Sequence, residues 1–187
     1  LVGGHHLIMG ELTDYITGQP LPDTHDERYR QRIARLLVDR KGYRREDIHP
    51  RVPIDLQVGR KSARIRLDFV VRNEGRIVLL IKYAPGSLVT RHQVAYAAAM
   101  LLAPYTIPFS IVTNGEDAHW LDNTDRRLIG RGLDGIWDSR TLSAKLQGRP
   151  SHDIAPRQAE MATRILLAYE VDGRCPCDDT VCEFESP

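Results

Sequence analysis

The sequence predicts an α/β domain: a mixed central sheet with helices on both faces and a small C-terminal helical extension. Three observations predict it. A helical pattern near the start precedes three strand patterns joined by short turns. A second helical pattern then separates the third strand from a fourth. The third strand, Ile77-Val78-Leu79-Leu80-Ile81-Lys82-Tyr83, is apolar almost throughout, as a strand covered on both faces must be.

The elements follow in order. Residues 1 to 23 read as an arm packed on the domain, broken by Gly18, Pro20 and Pro22, with a short turn or edge strand at 11–16. Asp23 and Thr24 offer an N-cap, Asp26 and Glu27 place acid in the first turn, and the helix runs from about His25 to Lys41 before Gly42 stops it. Tyr29, Ile33, Leu36 and Leu37 share one face of it, while Arg28, Arg32 and Arg35 share an exposed one. Val52, Ile54, Leu56 and Val58 alternate with Pro53, Asp55 and Gln57, which is the period of a strand. A turn at Arg60-Lys61 leads to a strand over about 62–71, and that turn pairs Ile54 with Leu67 and sets Asp55 against Arg66, on the face that Asp68 shares. Asn73-Glu74-Gly75 turns the chain into the third strand. Ser87 can cap a helix over about 89–102, and Phe109-Ser110-Ile111-Val112-Thr113 returns parallel to the third strand, as a helical crossover requires. A small hairpin spans 118–130, Ser139 caps a short helix through Leu146, and a last helix covers 156–171. The division expected is an arm at 1–23, a core at 24–135, and a helical extension with a cysteine-containing tail at 136–187.

Bulk properties narrow the function classes. With 187 residues, 42% hydrophobic and 27% charged, the chain has the composition of a globular domain. No apolar run approaches the roughly 20 residues of a membrane helix, and the start shows no signal-peptide pattern, so no membrane partner is expected. Three cysteines make no disulfide framework, and a reducing, cytoplasmic location is the expectation. Cys175, Cys177 and Cys182 offer at most three zinc ligands without an evident fourth, and read as tail thiols. His92 and His119 stand alone in the sequence. No glycine-rich phosphate loop and no Ser-His-Asp order is present. The net charge of +1 conceals an asymmetry: residues 24–91 carry 17 Lys+Arg against 8 Asp+Glu, a net of +9, and the remainder carries −8. A directed positive field of this kind suits a polyanion, with DNA as the expected partner.

Two charges interrupt apolar strands, Asp68 in the second and Lys82 in the third. A buried charge is costly unless paired or used. An acid on one core strand and a lysine on the next is the skeleton of a metal-dependent nuclease site, where carboxylates hold Mg²⁺ and the lysine lies near the scissile phosphate. The helix-strand order is that of a PD-(D/E)XK, or restriction-endonuclease-like, core.

Several segments carry a more specific resemblance. Asp26-Glu27-Arg28-Tyr29-Arg30-Gln31, Leu67-Asp68-Phe69-Val70-Val71, Leu80-Ile81-Lys82-Tyr83-Ala84-Pro85, Gln93-Val94-Ala95-Tyr96 and Ile111-Val112-Thr113-Asn114-Gly115-Glu116-Asp117 together resemble the N-terminal nuclease domain of type I restriction enzyme R subunits, in a short stand-alone bacterial form. The resemblance implies a Mg²⁺-dependent endodeoxyribonuclease with Glu27, Asp68, Lys82 and Gln93 at its site, and restriction-modification subunits as further partners. One feature departs from it: aligned on Lys82, the family's acid-x-Lys text meets Leu80, and aligned on Ala84-Pro85 it meets Ile81 with Tyr83 at the lysine, so either way the second metal-binding acid is missing. Asp55 is the candidate replacement, giving Glu27, Asp55 and Asp68 as possible metal ligands. The alternative is a catalytically inactive nuclease-fold module that binds nucleic acid or a restriction-system partner.

Overall fold

A computed structural model of the protein describes residues 9–173 and the backbone of 181–184. Cys175 and Cys177 lie outside the described residues.

The first described element is a two-stranded antiparallel ribbon, β1 (Glu11–Thr13) and β2 (Pro20–Pro22). Its connecting loop is tied to the core by Asp14, which is 1% exposed. The Asp14 carboxylate accepts hydrogen bonds from Ile16 N and Thr17 Oγ1 and pairs with Arg51. Helix α1 (His25–Arg35) follows, with the Thr24 hydroxyl accepting from Glu27 N, and it winds through a π-helical turn at Leu36–Arg40 before Gly42, at φ 70°, ends it.

The main sheet contains β3 (Ile48–Val58), β4 (Lys61–Asn73), β5 (Arg76–Tyr83), β6 (Phe109–Thr113), β7 (Ala118–Asp122) and β8 (Arg127–Arg131) in that spatial order. A further strand, β9 (Val181–Phe184), lies against the first half of β4. Among the described strands only β5 and β6 run parallel, and the crossover between them carries α2 (His92–Ala98) behind a 3₁₀ turn at Val89–Arg91. That helix is shorter than its sequence pattern, because its first turn is wound 3₁₀ and its end gives way to turns after Ala98. Helix α3 (Ser139–Leu146) is capped by Asp138, which accepts from Thr141 N, and not by Ser139. Helix α4 (Pro156–Leu166) continues into a π-helical segment, Leu167–Asp172.

The sheet divides two cores. On one face α2, α4 and the segment after it pack Val94, Ala98, Leu166, Leu167 and Val171 against Ile65, Leu67 and Leu80. On the other, α1 and α3 pack Ile33, Leu37 and Leu142 against Phe69, Leu79 and Ile81. Strand β5 feeds both, which is why nearly every one of its residues is apolar. Each such side chain contributes about 1.5–3 kcal/mol on burial.

One expectation about register is corrected. The β3–β4 hairpin pairs Val58 with Lys61 and Ile54 with Ile65, so the turn is Gly59-Arg60. Gly59 takes φ 58°, the left-handed value that a glycine at the first turn position adopts without steric cost. A slip of two residues keeps every side chain on its face, since the strand period is two, but it moves partners along the strand. Asp55 therefore opposes Arg64 instead of Arg66.

Candidate functional site

The site builds from the first turn of α1. Capping by Thr24 places Glu27 against the sheet, where it is 8% exposed. One turn further, Gln31 Nε2 donates to Glu27 Oε1 at 2.9 Å. Arg30 Nη1 lies 3.3 Å from the other oxygen, Oε2, and Arg30 Nε lies 2.7 Å from Asp68 Oδ1. The guanidinium thus joins the two carboxylates. Asp68 Oδ2 accepts from the backbone N of Tyr83 at 2.6 Å, which fastens β4 to β5 beside Lys82. Arg30 also lies over the Tyr83 ring at 5.5 Å, and the Tyr83 hydroxyl donates to Asp26 at 2.9 Å. Burial foremost, then Asp26, hold that phenol well above its ordinary pKa. Arg51 approaches Glu27 from β3 at 3.8 Å while paired with Asp14. Burial works to raise the Asp14 pKa, but the hydrogen bond from Arg51 and those from Ile16 and Thr17 outweigh it and leave the group below its ordinary value.

Lys82 is engaged from the opposite helix layer. Its Nζ lies 3.0 Å from Glu170 Oε2, and both side chains are almost fully buried. Glu170 stands in the π-helical segment after α4, and its Oε1 lies 3.3 Å from Arg91 Nη1. Asp68 and Lys82 are neighbours across β4 and β5, yet the charge of one is met from α1 and that of the other from the C-terminal helix.

The remaining sequence candidates do not join them. Leu80 is fully buried among the aliphatic side chains facing α2 and α4. Asp55 is exposed and bound by Arg64 Nε at 2.6 Å, four residues up β4 from Asp68, or roughly 13 Å along the strand. Gln93 is exposed on α2. Among the described residues no group of three His, Cys, Asp or Glu side chains converges as a metal site would. Mg²⁺ demands oxygen ligands in near-octahedral array, and here the two available carboxylates already share a guanidinium. The donor set does not fit the ion.

Arg30, Glu170 and Arg91 escaped the sequence reading as site residues. Arg30 had a local signal, since it stands three residues after Glu27 on the same helix. Glu170 had none, being brought in from the far end of the chain. The two histidines are also partners: the β6–β7 register carries His119 beneath the start of α2, and His92 Nε2 lies 2.8 Å from His119 Nδ1. Burial, then the neighbouring charges, hold both below the ordinary histidine pKa.

Fold and site together define an α/β domain with a carboxylate pair held between its first helix and a core strand. The chain belongs to the family described as type I restriction enzyme R protein N terminus (HSDR_N), which matches residues 25–136. Arg30, Asp68, Lys82 and Arg91 lie inside the matched span, and Glu170 lies outside it. No curated protein and no solved structure matches the chain. Among the described residues no helix is long and apolar enough to cross a membrane.

Proposed function

We propose that this chain is a restriction-endonuclease-like core of the PD-(D/E)XK kind whose hydrolytic site has been replaced by internal ion pairs, and that it serves a restriction system as a DNA-binding module. The observation that carries this reading is the position of Arg30, whose guanidinium contacts Glu27 and Asp68 together. A cation supplied by the protein neutralises both carboxylates that the resemblance assigns to a metal. Leu80 removes the third oxygen donor. The net +9 of residues 24–91 supports a polyanion as the partner.

The test is a pair of measurements on the whole chain. Fluorescence anisotropy with labelled duplex DNA is expected to show binding that weakens about tenfold or more between ~50 and ~200 mM salt. Incubation of plasmid with Mg²⁺ or Mn²⁺ is expected to leave it intact. Metal-dependent cleavage that Asp68→Ala abolishes would instead establish a Mg²⁺-dependent endonuclease, and absence of any binding would remove the DNA-binding reading.

A further inference from the structure

Glu170 is an unusual residue to bury. A carboxylate withdrawn from water is expensive, and a buried ion pair is often no better than apolar residues of the same volume. Here it lies 3.0 Å from Lys82 and 3.3 Å from Arg91, so two cations converge on one anion. The arrangement is incomplete. Arg91 Nε is buried and has no hydrogen-bond partner among the described residues, although a second donor of the same guanidinium is satisfied by Glu170. A planar carboxylate, reaching Lys82 with one oxygen and Arg91 with the other, leaves that donor unmet. A backbone phosphodiester also has two non-bridging oxygens, each able to accept from more than one donor, and seated side-on against the guanidinium it can meet both Arg91 donors while one of those oxygens keeps Lys82. Glu170 is also carried on a π-helical segment, a wider winding than the α-helix and one that recurs at functional sites, and that segment lies outside the span matched by the family.

We propose that Lys82 and Arg91 form a phosphate subsite which Glu170 fills in the resting protein, so that the C-terminal helix blocks nucleic acid from this face of the sheet. The ligand is a backbone phosphate of a nucleic acid, and its arrival displaces the 167–172 segment. The block rests on the nucleic-acid reading for its ligand, but the Glu170 contact is independent of whether the Arg30 site hydrolyses anything.

The experiment compares wild type with Glu170→Gln, which keeps the side chain's shape and removes its charge. Duplex DNA is expected to bind Glu170→Gln about tenfold more tightly, with a steeper salt dependence because up to two further cations reach phosphate. Adding Arg91→Ala to Glu170→Gln is expected to cancel the gain. A folded Glu170→Gln protein that binds DNA no more tightly than wild type overturns the proposal. If wild type nevertheless binds, the DNA-binding function stands without the block, whereas failure of both proteins to bind removes both. Should Glu170→Gln not fold, hydrogen exchange in wild type decides. Inorganic phosphate, compared with chloride at equal ionic strength, is expected to speed amide exchange over 167–172, and unchanged or slower exchange there overturns the proposal.

Discussion

Arg30 Nε and Asp68 Oδ1 lie 2.7 Å apart across 38 residues of sequence, and the Asp68 side chain is only 2% exposed. Removing one member of a buried pair leaves the other charge without compensation, which costs about 3–5 kcal/mol. Arg30→Met is therefore expected to lose about that much in urea denaturation. Mn²⁺ at millimolar concentration is expected to raise the melting temperature of the variant and not of wild type, since only the variant leaves Glu27 and Asp68 open to a cation. An Arg30→Met protein as stable as wild type would show that the guanidinium does not hold this site together.

The histidine pair predicts acid sensitivity. His92 and His119 both have pKa values lowered from 6.5, by burial first and then by the charge around them: His119 and Arg131 around His92, and Arg131 around His119, against which Asp117 acts in the opposite sense. Arg131 approaches the second ring at 3.5 Å. The unfolded chain takes up these protons before the folded one, so their contribution to stability is present above pH 6.5 and is lost as pH falls through the lowered values. The urea midpoint is expected to drop between about pH 7 and about pH 5, and to drop less in His119→Asn. Asp14 and Asp122 are also lowered, from 3.8, and titrate below that window. An identical pH profile for His119→Asn would exclude the pair as its source.

Gly115 offers a packing test on α1 beside this site. Its φ is +88°, and a Cβ there would overlap the ring of Tyr29. Tyr29 stacks on Tyr83 at 5.8 Å between centroids, so the loop after β6 helps hold α1 against β5. Gly115→Ala is expected to cost about 2–3 kcal/mol by thermal or urea unfolding, from overpacking and from the left-handed backbone together. Adding Tyr29→Ala should recover part of the loss, and strictly additive effects would place the strain elsewhere.

The elements were readable because their signals are local. Thr24 caps α1 through a bond three residues away, Gly42 ends the helical region, and alternation marks β3 and β4 within each strand's own residues. The β3–β4 register was less readable. Turns at Gly59-Arg60 and Arg60-Lys61 give the same buried faces, and only Gly59's left-handed backbone separates them. The two-residue difference moved Asp55 onto Arg64 and away from any role beside Asp68.

By itself the sequence determined the order of helices and strands, the burial of β5, and the presence of two charges in apolar strands with Leu80 beside them. Only the tertiary structure decided what meets those charges. Arg30 comes from a helix packed on one face of the sheet and Glu170 from a helix packed on the other, so Asp68 and Lys82 are neighbours in the sheet but serve different ion clusters. A buried charge announces itself within a few residues of sequence, because it breaks an apolar pattern. Its counter-charge can come from any element that the fold brings against it, and that is set by packing over the whole chain.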